Sequence, residues 1–167
     1  MSLAGQRLQP DRYTIVPRTL IFLTRKDQVL LLRLGSDRGE WTGLLNGLGG
    51  HIESGEDPLQ SARREVEEEI GRSAKDLRLA GVVNIDTGSS PGIGLYVFVG
   101  EIEKGELEAG SEGTPEWVSI DAIEEASLVE DLPILLPRAL ECLEGAAPFS
   151  ARYEYSEAGE LRIRFSI

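Results

Sequence analysis

The sequence is poor in cysteine, in aromatic residues and in positive charge. Of 167 residues one is cysteine, 6% are aromatic, and 17 Lys and Arg stand against 29 Asp and Glu. A single thiol, that of Cys142, cannot close a disulfide within the chain, so nothing indicates an oxidising compartment. The formal net charge of −12 argues against a nucleic-acid polymer as partner, because neutralising phosphates requires clustered Lys and Arg. Such an acid surplus instead fits a site that recruits divalent cations.

Long apolar runs are also missing. No stretch approaches the roughly 20 apolar residues that cross a bilayer. Residues 1–14 carry neither a hydrophobic signal core nor a cleavage pattern. We therefore expect a cytoplasmic protein with no membrane contact. The length and the 41% hydrophobic content suit one domain over residues 1–167, with residues 1–12 as a flexible N-terminus.

Apolar patterning predicts a mixed α/β or α+β fold. Two near-continuous β-forming runs flank a short turn and indicate buried strands of one sheet, at residues 19–24 and 28–33. Further strands are predicted at residues 77–86, 95–102 and 116–120, and a hairpin over 149–155 and 161–167. A second long helix is predicted over residues 132–143, with Cys142 in the core.

The most regular element is a helix predicted over residues 58–70. Asp57 suits the N-cap, Pro58 fits the first turn and Gly71 is a suitable terminator. Apolar residues recur at helical spacing and mark the buried face; they are Leu59, Ala62, Val66 and Ile70.

Four of this helix's residues are glutamates, and three of them share one face. Glu65, Glu68 and Glu69 are spaced i, i+3 and i+4, beside the apolar stripe. Like charges at this spacing repel each other by a few tenths of a kcal/mol per pair. Either the face is simply solvated, or it holds a divalent cation, which prefers carboxylate oxygens as ligands.

Glycines precede the helix and begin a longer pattern. Gly47, Gly49 and Gly50 let the backbone approach a ligand closely, or they form a tight turn. The pattern then runs Gly50, five residues, Glu56, seven residues, Arg64-Glu65-Val66, one residue, Glu68-Glu69, one residue, Gly71. It resembles the Nudix box at every charged and glycine position. The departure is Arg72, where an apolar residue is usual.

The resemblance implies a Nudix hydrolase, an α/β/α sandwich around a central mixed sheet that cleaves a nucleoside diphosphate linked to another group. The implied ligands of Mg²⁺, or of Mn²⁺, are Glu65, Glu68, Glu69 and the carbonyl of Gly49. Glu56 would support the loop, and Arg64 would hold a catalytic glutamate in place.

A carboxylate would take the proton from the attacking water. The resemblance leaves three candidates for this base: Glu68, Glu69 and Glu112. Glu112 lies in the loop before Trp117, where some family members place a further metal-binding carboxylate; the alternative is an exposed loop acid.

Two further segments resemble the branch of the family that hydrolyses oxidised purine nucleoside triphosphates. In Asn46-Gly47-Leu48-Gly49-Gly50 the asparagine would read the purine edge, or it is a turn residue. In Leu128-Val129-Glu130-Asp131 the two acids would contact the base, or they cap the helix that follows. Leu128 stands where the best-known members have a stacking aromatic residue. The implied activity is that of an 8-oxo-dGTP diphosphatase.

Two other functions stay open at this level. The box also fits a hydrolase of ADP-ribose, of a dinucleotide or of another nucleotide-linked diphosphate, and the fold fits a non-catalytic nucleotide sensor, although such domains typically lose the glutamates. The expected partner is a nucleotide, bound by a monomer or a homodimer. His51 is predicted to face either phosphate or solvent, and Trp41 and Trp117 are interpreted as packing residues.

Overall fold

The computed structural model describes residues 11–166, so most of the predicted flexible N-terminus, residues 1–10, lies outside the described residues. The described part contains the strands β1 (Ile15–Arg25), β2 (Gln28–Leu34), β3 (Leu45–Asn46), β4 (Lys75–Ile85), β5 (Gly92–Glu101), β6 (Gly113–Ser119), β7 (Phe149–Tyr155) and β8 (Leu161–Ser166). Its helices are α1 (Pro58–Ile70) and α2 (Leu132–Leu140), with short 3-10 turns at Gly39–Trp41 and Ile120–Glu125.

All eight strands belong to one mixed sheet. The order is β3-β2-β1-β5-β4-β7-β8, and β6 pairs along β2. The β1–β5 and β4–β7 pairs are parallel, and the other pairs are antiparallel. β1 pairs with β2 only near their shared turn, and its first half instead bridges the glycine loop at Ile21–Leu48 and Arg18–His51. The glycine loop is thereby fixed to the centre of the sheet.

Side chains of the central strands alternate between the two faces of the sheet. On β1, Ile21 and Leu23 belong to the apolar cluster that contains Val66 of α1. Leu20 and Phe22 belong to the cluster on the opposite face, which contains the apolar side of α2. Both faces are therefore covered by a helix, as expected for strands that read as continuous apolar runs. The predicted α/β/α sandwich around a mixed sheet is confirmed.

Helix α1 has the predicted bounds, and its ends explain why. Asp57 accepts hydrogen bonds from the amides of Leu59 and Gln60, and the Gln60 side chain accepts one from the Asp57 amide. This reciprocal capping box satisfies amides that would otherwise lack partners. Gly71 ends the helix in the left-handed conformation, with φ +66°.

Helix α2 is shorter than predicted. It ends at Leu140 rather than residue 143. From Cys142 to Gly145 each amide bonds to the carbonyl three residues back, which tightens the chain into turns. Cys142 itself is buried in the core, as expected, and its thiol lies 3.4 Å from the carbonyl oxygen of Ala80. No helix within residues 11–166 is long and apolar enough to cross a membrane.

Candidate active site

The glycine loop packs so tightly against β1 that side chains are excluded from it. Gly49 has φ +132°, and a Cβ there would lie 2.3 Å from the carbonyl oxygen of Thr19. A Cβ on Gly50 would lie 2.5 Å from Oε1 of Glu65. The Gly49 amide donates a 2.9 Å hydrogen bond to Oε2 of Glu69. Glycine at these two positions therefore brings the loop backbone into contact with the carboxylates of α1.

The acidic cluster consists of Glu56, Glu65, Glu68 and Glu69, and Arg64 contacts three of these carboxylates and one loop carbonyl oxygen. Its guanidinium donates to both carboxylate oxygens of Glu56, at 2.7 and 3.0 Å, and to Glu65 at 2.8 Å. It also donates to Glu68 at 3.1 Å and to the carbonyl oxygen of His51 at 3.0 Å. The bidentate bond from Arg64 lowers the pKa of Glu56 to about 2. Arg64 thus ties α1 to the loop before it.

Glu69 is the most deeply buried carboxylate of the cluster. It is 3% exposed, and its Oε1 makes no hydrogen bond within the described part of the chain. Burial raises its pKa to about 8, and the nearby charge of Glu112 adds to the rise. Burial likewise raises the pKa of Glu65, against the opposing effect of Arg64. A buried carboxylate oxygen without a partner, beside a second desolvated carboxylate, fits a bound cation.

The three glutamates predicted to share a face differ in their exposure to solvent. Glu65 and Glu69 are buried, whereas the Glu68 side chain is 59% exposed and its recorded contact is with Arg64. No three His, Cys, Asp or Glu side chains of residues 11–166 converge as a ready ligand set. The fit to a metal rests on Glu65, Glu69 and the adjoining loop.

Glu112 lies close enough to Glu69 to raise the pKa of that carboxyl group, and it pairs with an arginine that the sequence did not indicate. Nη2 of Arg38 lies 2.9 Å from Oε2 of Glu112, and both side chains line a cavity beside the glycine loop. Glu112 precedes β6, and its carbonyl oxygen accepts a bond from the Gly35 amide at the end of β2. Arg38 belongs to a loop without a recognisable motif, and for that reason the sequence did not indicate it. It lies beside Glu112 because β2, which precedes Arg38, pairs with β6, which follows Glu112.

A cavity of about 220 Å³ opens beside the glycine loop, on the α2 face of the sheet. Apolar side chains from four strands line it: Leu20, Leu32, Leu34, Ile85, Ile93 and Leu95. Its polar lining includes Asn46, Asp131, Arg18 and His51. An apolar floor with a few polar groups is typical of a small-molecule site. Trp41, interpreted as a packing residue, is instead 47% exposed at this cavity.

The residues predicted to contact a purine lie in different surroundings. Asn46 lines the cavity, and its side-chain oxygen accepts a bond from the Gly47 amide. Asp131 also lines it, caps no amide of α2 with its side chain, and has its pKa raised by burial. Glu130 is exposed and accepts a 2.7 Å bond from the Tyr155 hydroxyl, and Leu128 packs against the apolar core. The structure brings Asn46 and Asp131 together and leaves the other two outside the cavity lining.

The pKa of Glu69 predicts how the metal-free protein responds to pH. A folded-state pKa of about 8 against an ordinary value of 4.5 means that the folded state binds the proton more tightly. The stabilisation is present below pH 4.5 and is lost as the pH rises to about 8, by up to about 1.4 kcal/mol per pH unit. Thermal unfolding in chelator should show Tm falling between pH 6 and pH 8, and falling less in Glu69→Gln. Equal slopes for both proteins would show that Glu69 titrates normally.

Known proteins resemble this chain over most of its length. The NUDIX domain model matches residues 14–139. The oxidized purine nucleoside triphosphate hydrolase of Mus musculus is 30% identical over 131 residues, covering 74% of this chain and 81% of that protein. The protein of the same name from Danio rerio is 29% identical over 126 residues, covering 74% and 78%.

Solved structures share the fold. A MutT protein from Bacillus halodurans matches with a TM-score of 0.74 and 25% identity, over 90% of this chain and 97% of that one. The NUDIX domain of Shewanella oneidensis NrtR, solved with ADP ribose, matches with a TM-score of 0.65 and 16% identity, over 86% and 99%. At that identity the second likeness concerns the fold alone.

Proposed function

The chain belongs to the NUDIX family, and from that premise we propose that it converts an oxidised purine (deoxy)nucleoside triphosphate, such as 8-oxo-dGTP, to the monophosphate and pyrophosphate with Mg²⁺. Family membership confirms the identification made from the glycine and glutamate pattern, and it makes the protein a hydrolase acting on phosphoanhydride bonds. The name of the two curated relatives supports the choice of substrate.

The buried pair Glu65 and Glu69, beside a glycine loop that opens into the cavity, carries the proposal. These two carboxylates and the Gly49 carbonyl would hold Mg²⁺ or Mn²⁺, with Glu68 at the outer side. When bound, the ion neutralises the diphosphate and lowers the pKa of a coordinated water. Arg64 holds Glu65 in position through its 2.8 Å bond, and Arg64 is itself fixed by Glu56.

Two carboxylates line the cavity and suit different tasks: Glu112 suits the proton transfer, and Asp131 suits recognition of the purine. Of the three candidate bases, Glu112 lines the cavity, whereas Glu68 points outward and Glu69 accepts a bond from the Gly49 amide. We therefore assign Glu112 to accept the proton of the attacking water. For recognition of the purine, Asn46 and Asp131 supply an amide and a carboxyl group that suit its polar edge.

The test is release of pyrophosphate from 8-oxo-dGTP with Mg²⁺, measured beside dGTP, ADP-ribose and a dinucleoside polyphosphate. We expect the highest kcat/KM for 8-oxo-dGTP and no turnover in EDTA. Turnover of ADP-ribose or the dinucleotide without turnover of 8-oxo-dGTP would contradict the substrate. Binding of nucleotide without metal-dependent turnover of any compound would contradict the enzymatic function.

A further inference from the structure

Two arginines line the cavity, and their partners differ. Arg38 is paired with Glu112. Arg18 makes no ion pair with any carboxylate among residues 11–166, and its recorded side-chain hydrogen bond runs from Nε to Nε2 of His51, at 3.1 Å. The chain has 29 Asp and Glu against 17 Lys and Arg, so an arginine without a carboxylate partner is unusual here. Its positive charge is free to bind an anionic ligand.

The backbone fixes where the Arg18 guanidinium lies. Arg18 is half-buried on β1, where it bridges His51 on one side and pairs with Leu95 of β5 on the other. A guanidinium has five N–H donors in one plane, and the bond to His51 engages one of them. Four donors remain at the two terminal nitrogens. Their forked geometry matches a pair of phosphate or carboxylate oxygens.

His51 also connects Arg18 to the acidic cluster. Its imidazole accepts the bond from Arg18, while its carbonyl oxygen accepts the 3.0 Å bond from Arg64. The preceding Gly50 lies against the carboxylate of Glu65. Arg18, Gly50 and His51 line the same cavity, so a phosphate group bound beside these carboxylates would have Arg18 as a neighbour along the loop.

We propose that Arg18 binds a phosphate oxygen of the nucleotide's phosphate chain, with His51 as the residue that positions its guanidinium. This inference rests on the proposed function and adds a substrate-binding residue on the cavity side of the carboxylates. It also predicts that the contribution of Arg18 does not depend on the base, because phosphate oxygens are common to all nucleotides.

The test compares Arg18→Gln with Arg162→Gln. Both changes remove one strand arginine, and Arg162 is exposed on β8, at the far edge of the sheet. For Arg18→Gln we expect KM to rise about ten- to a hundredfold, by the loss of a charge-assisted hydrogen bond, with a smaller change in kcat. The factor should be the same for 8-oxo-dGTP and dGTP. Arg162→Gln should match the wild-type protein.

Binding of inorganic pyrophosphate with Mg²⁺, measured by calorimetry, tests Arg18 without turnover. Arg18→Gln should weaken it by a similar factor, and Arg18→Lys should weaken it less. His51→Gln, which keeps a side-chain acceptor, should retain more affinity than His51→Ala. Thermal unfolding of each variant checks the fold, and Arg18→Lys replaces Arg18→Gln if the latter does not fold.

Three results would overturn the inference. Equal pyrophosphate affinity in Arg18→Gln and Arg162→Gln would show that Arg18 does not bind phosphate. A KM effect confined to one base would show that Arg18 reads the base instead. Equal affinity in His51→Gln and His51→Ala would remove the positioning role. If the wild-type protein hydrolyses no nucleotide, the proposed function fails, while the pyrophosphate measurement still decides the role of Arg18.

Discussion

Replacing Glu69 with glutamine is expected to lower kcat/KM about a thousandfold while the protein stays folded. The substitution keeps the size of the side chain and an oxygen that can accept the bond from the Gly49 amide. It removes the negative charge at the most buried carboxylate of the cluster. The proposed function makes Glu69 a ligand of the metal ion, and loss of such a ligand costs several kcal/mol of transition-state stabilisation; about 4 kcal/mol corresponds to the thousandfold effect.

Glu67→Gln is the matched control for this prediction. Glu67 lies two residues earlier on α1, is exposed, and bonds to the Ser73 hydroxyl rather than to the cluster. Steady-state kinetics with saturating Mg²⁺ should give wild-type values for Glu67→Gln. If both variants retained full activity, the metal role of Glu69 would be excluded.

Replacing Gly49 with alanine is expected to destabilise the protein by about 3 kcal/mol and to lower activity about a hundredfold. Two costs combine. A φ of +132° is essentially restricted to glycine, and the new Cβ would lie 2.3 Å from the Thr19 carbonyl oxygen, which belongs to the rigid strand β1. The loop must therefore move away, and its amide would leave Glu69.

Gly55→Ala separates these two costs. Gly55 also has a positive φ, of +93°, but a Cβ there would have nothing within 4 Å. It should lose about 1 kcal/mol from backbone strain alone and keep its activity. Denaturant unfolding of both variants, together with kcat/KM, makes the comparison. Equal losses in the two variants would mean that contact between the loop and β1 is unimportant for the site.

The features that the sequence predicted well depend on local patterns. The bounds of α1 follow from Asp57, Pro58 and Gly71, because capping and termination depend on the residues at the helix ends. The closeness of Glu65 and Glu69 follows from helical periodicity. The motif also singled out Arg64 and the glycines before the helix, and the structure shows which contacts they make, with Glu56 and with Thr19.

The features that the sequence did not predict depend on pairings between distant segments. Arg38 reaches the site because β2 pairs with β6, and Arg18 because β1 bridges the glycine loop. Periodicity could not show that Glu68 is exposed while Glu65 and Glu69 are buried, because burial depends on which distant segments pack against the helix. Likewise, the sequence could not show that Glu130 bonds to the hydroxyl of Tyr155, because Tyr155 lies on the distant strand β7.

Metal-dependent catalysis at the buried glutamates is best tested by titrating metal-free protein with Mn²⁺, followed by calorimetry, in parallel with pyrophosphate release from 8-oxo-dGTP. We expect that Mn²⁺ binds to the wild-type protein, that activity appears over the same concentration range, and that Glu69→Gln loses both together. Pyrophosphate release that proceeds undiminished in chelator, or Mn²⁺ binding that is unchanged in Glu69→Gln, would contradict metal-dependent catalysis at these glutamates.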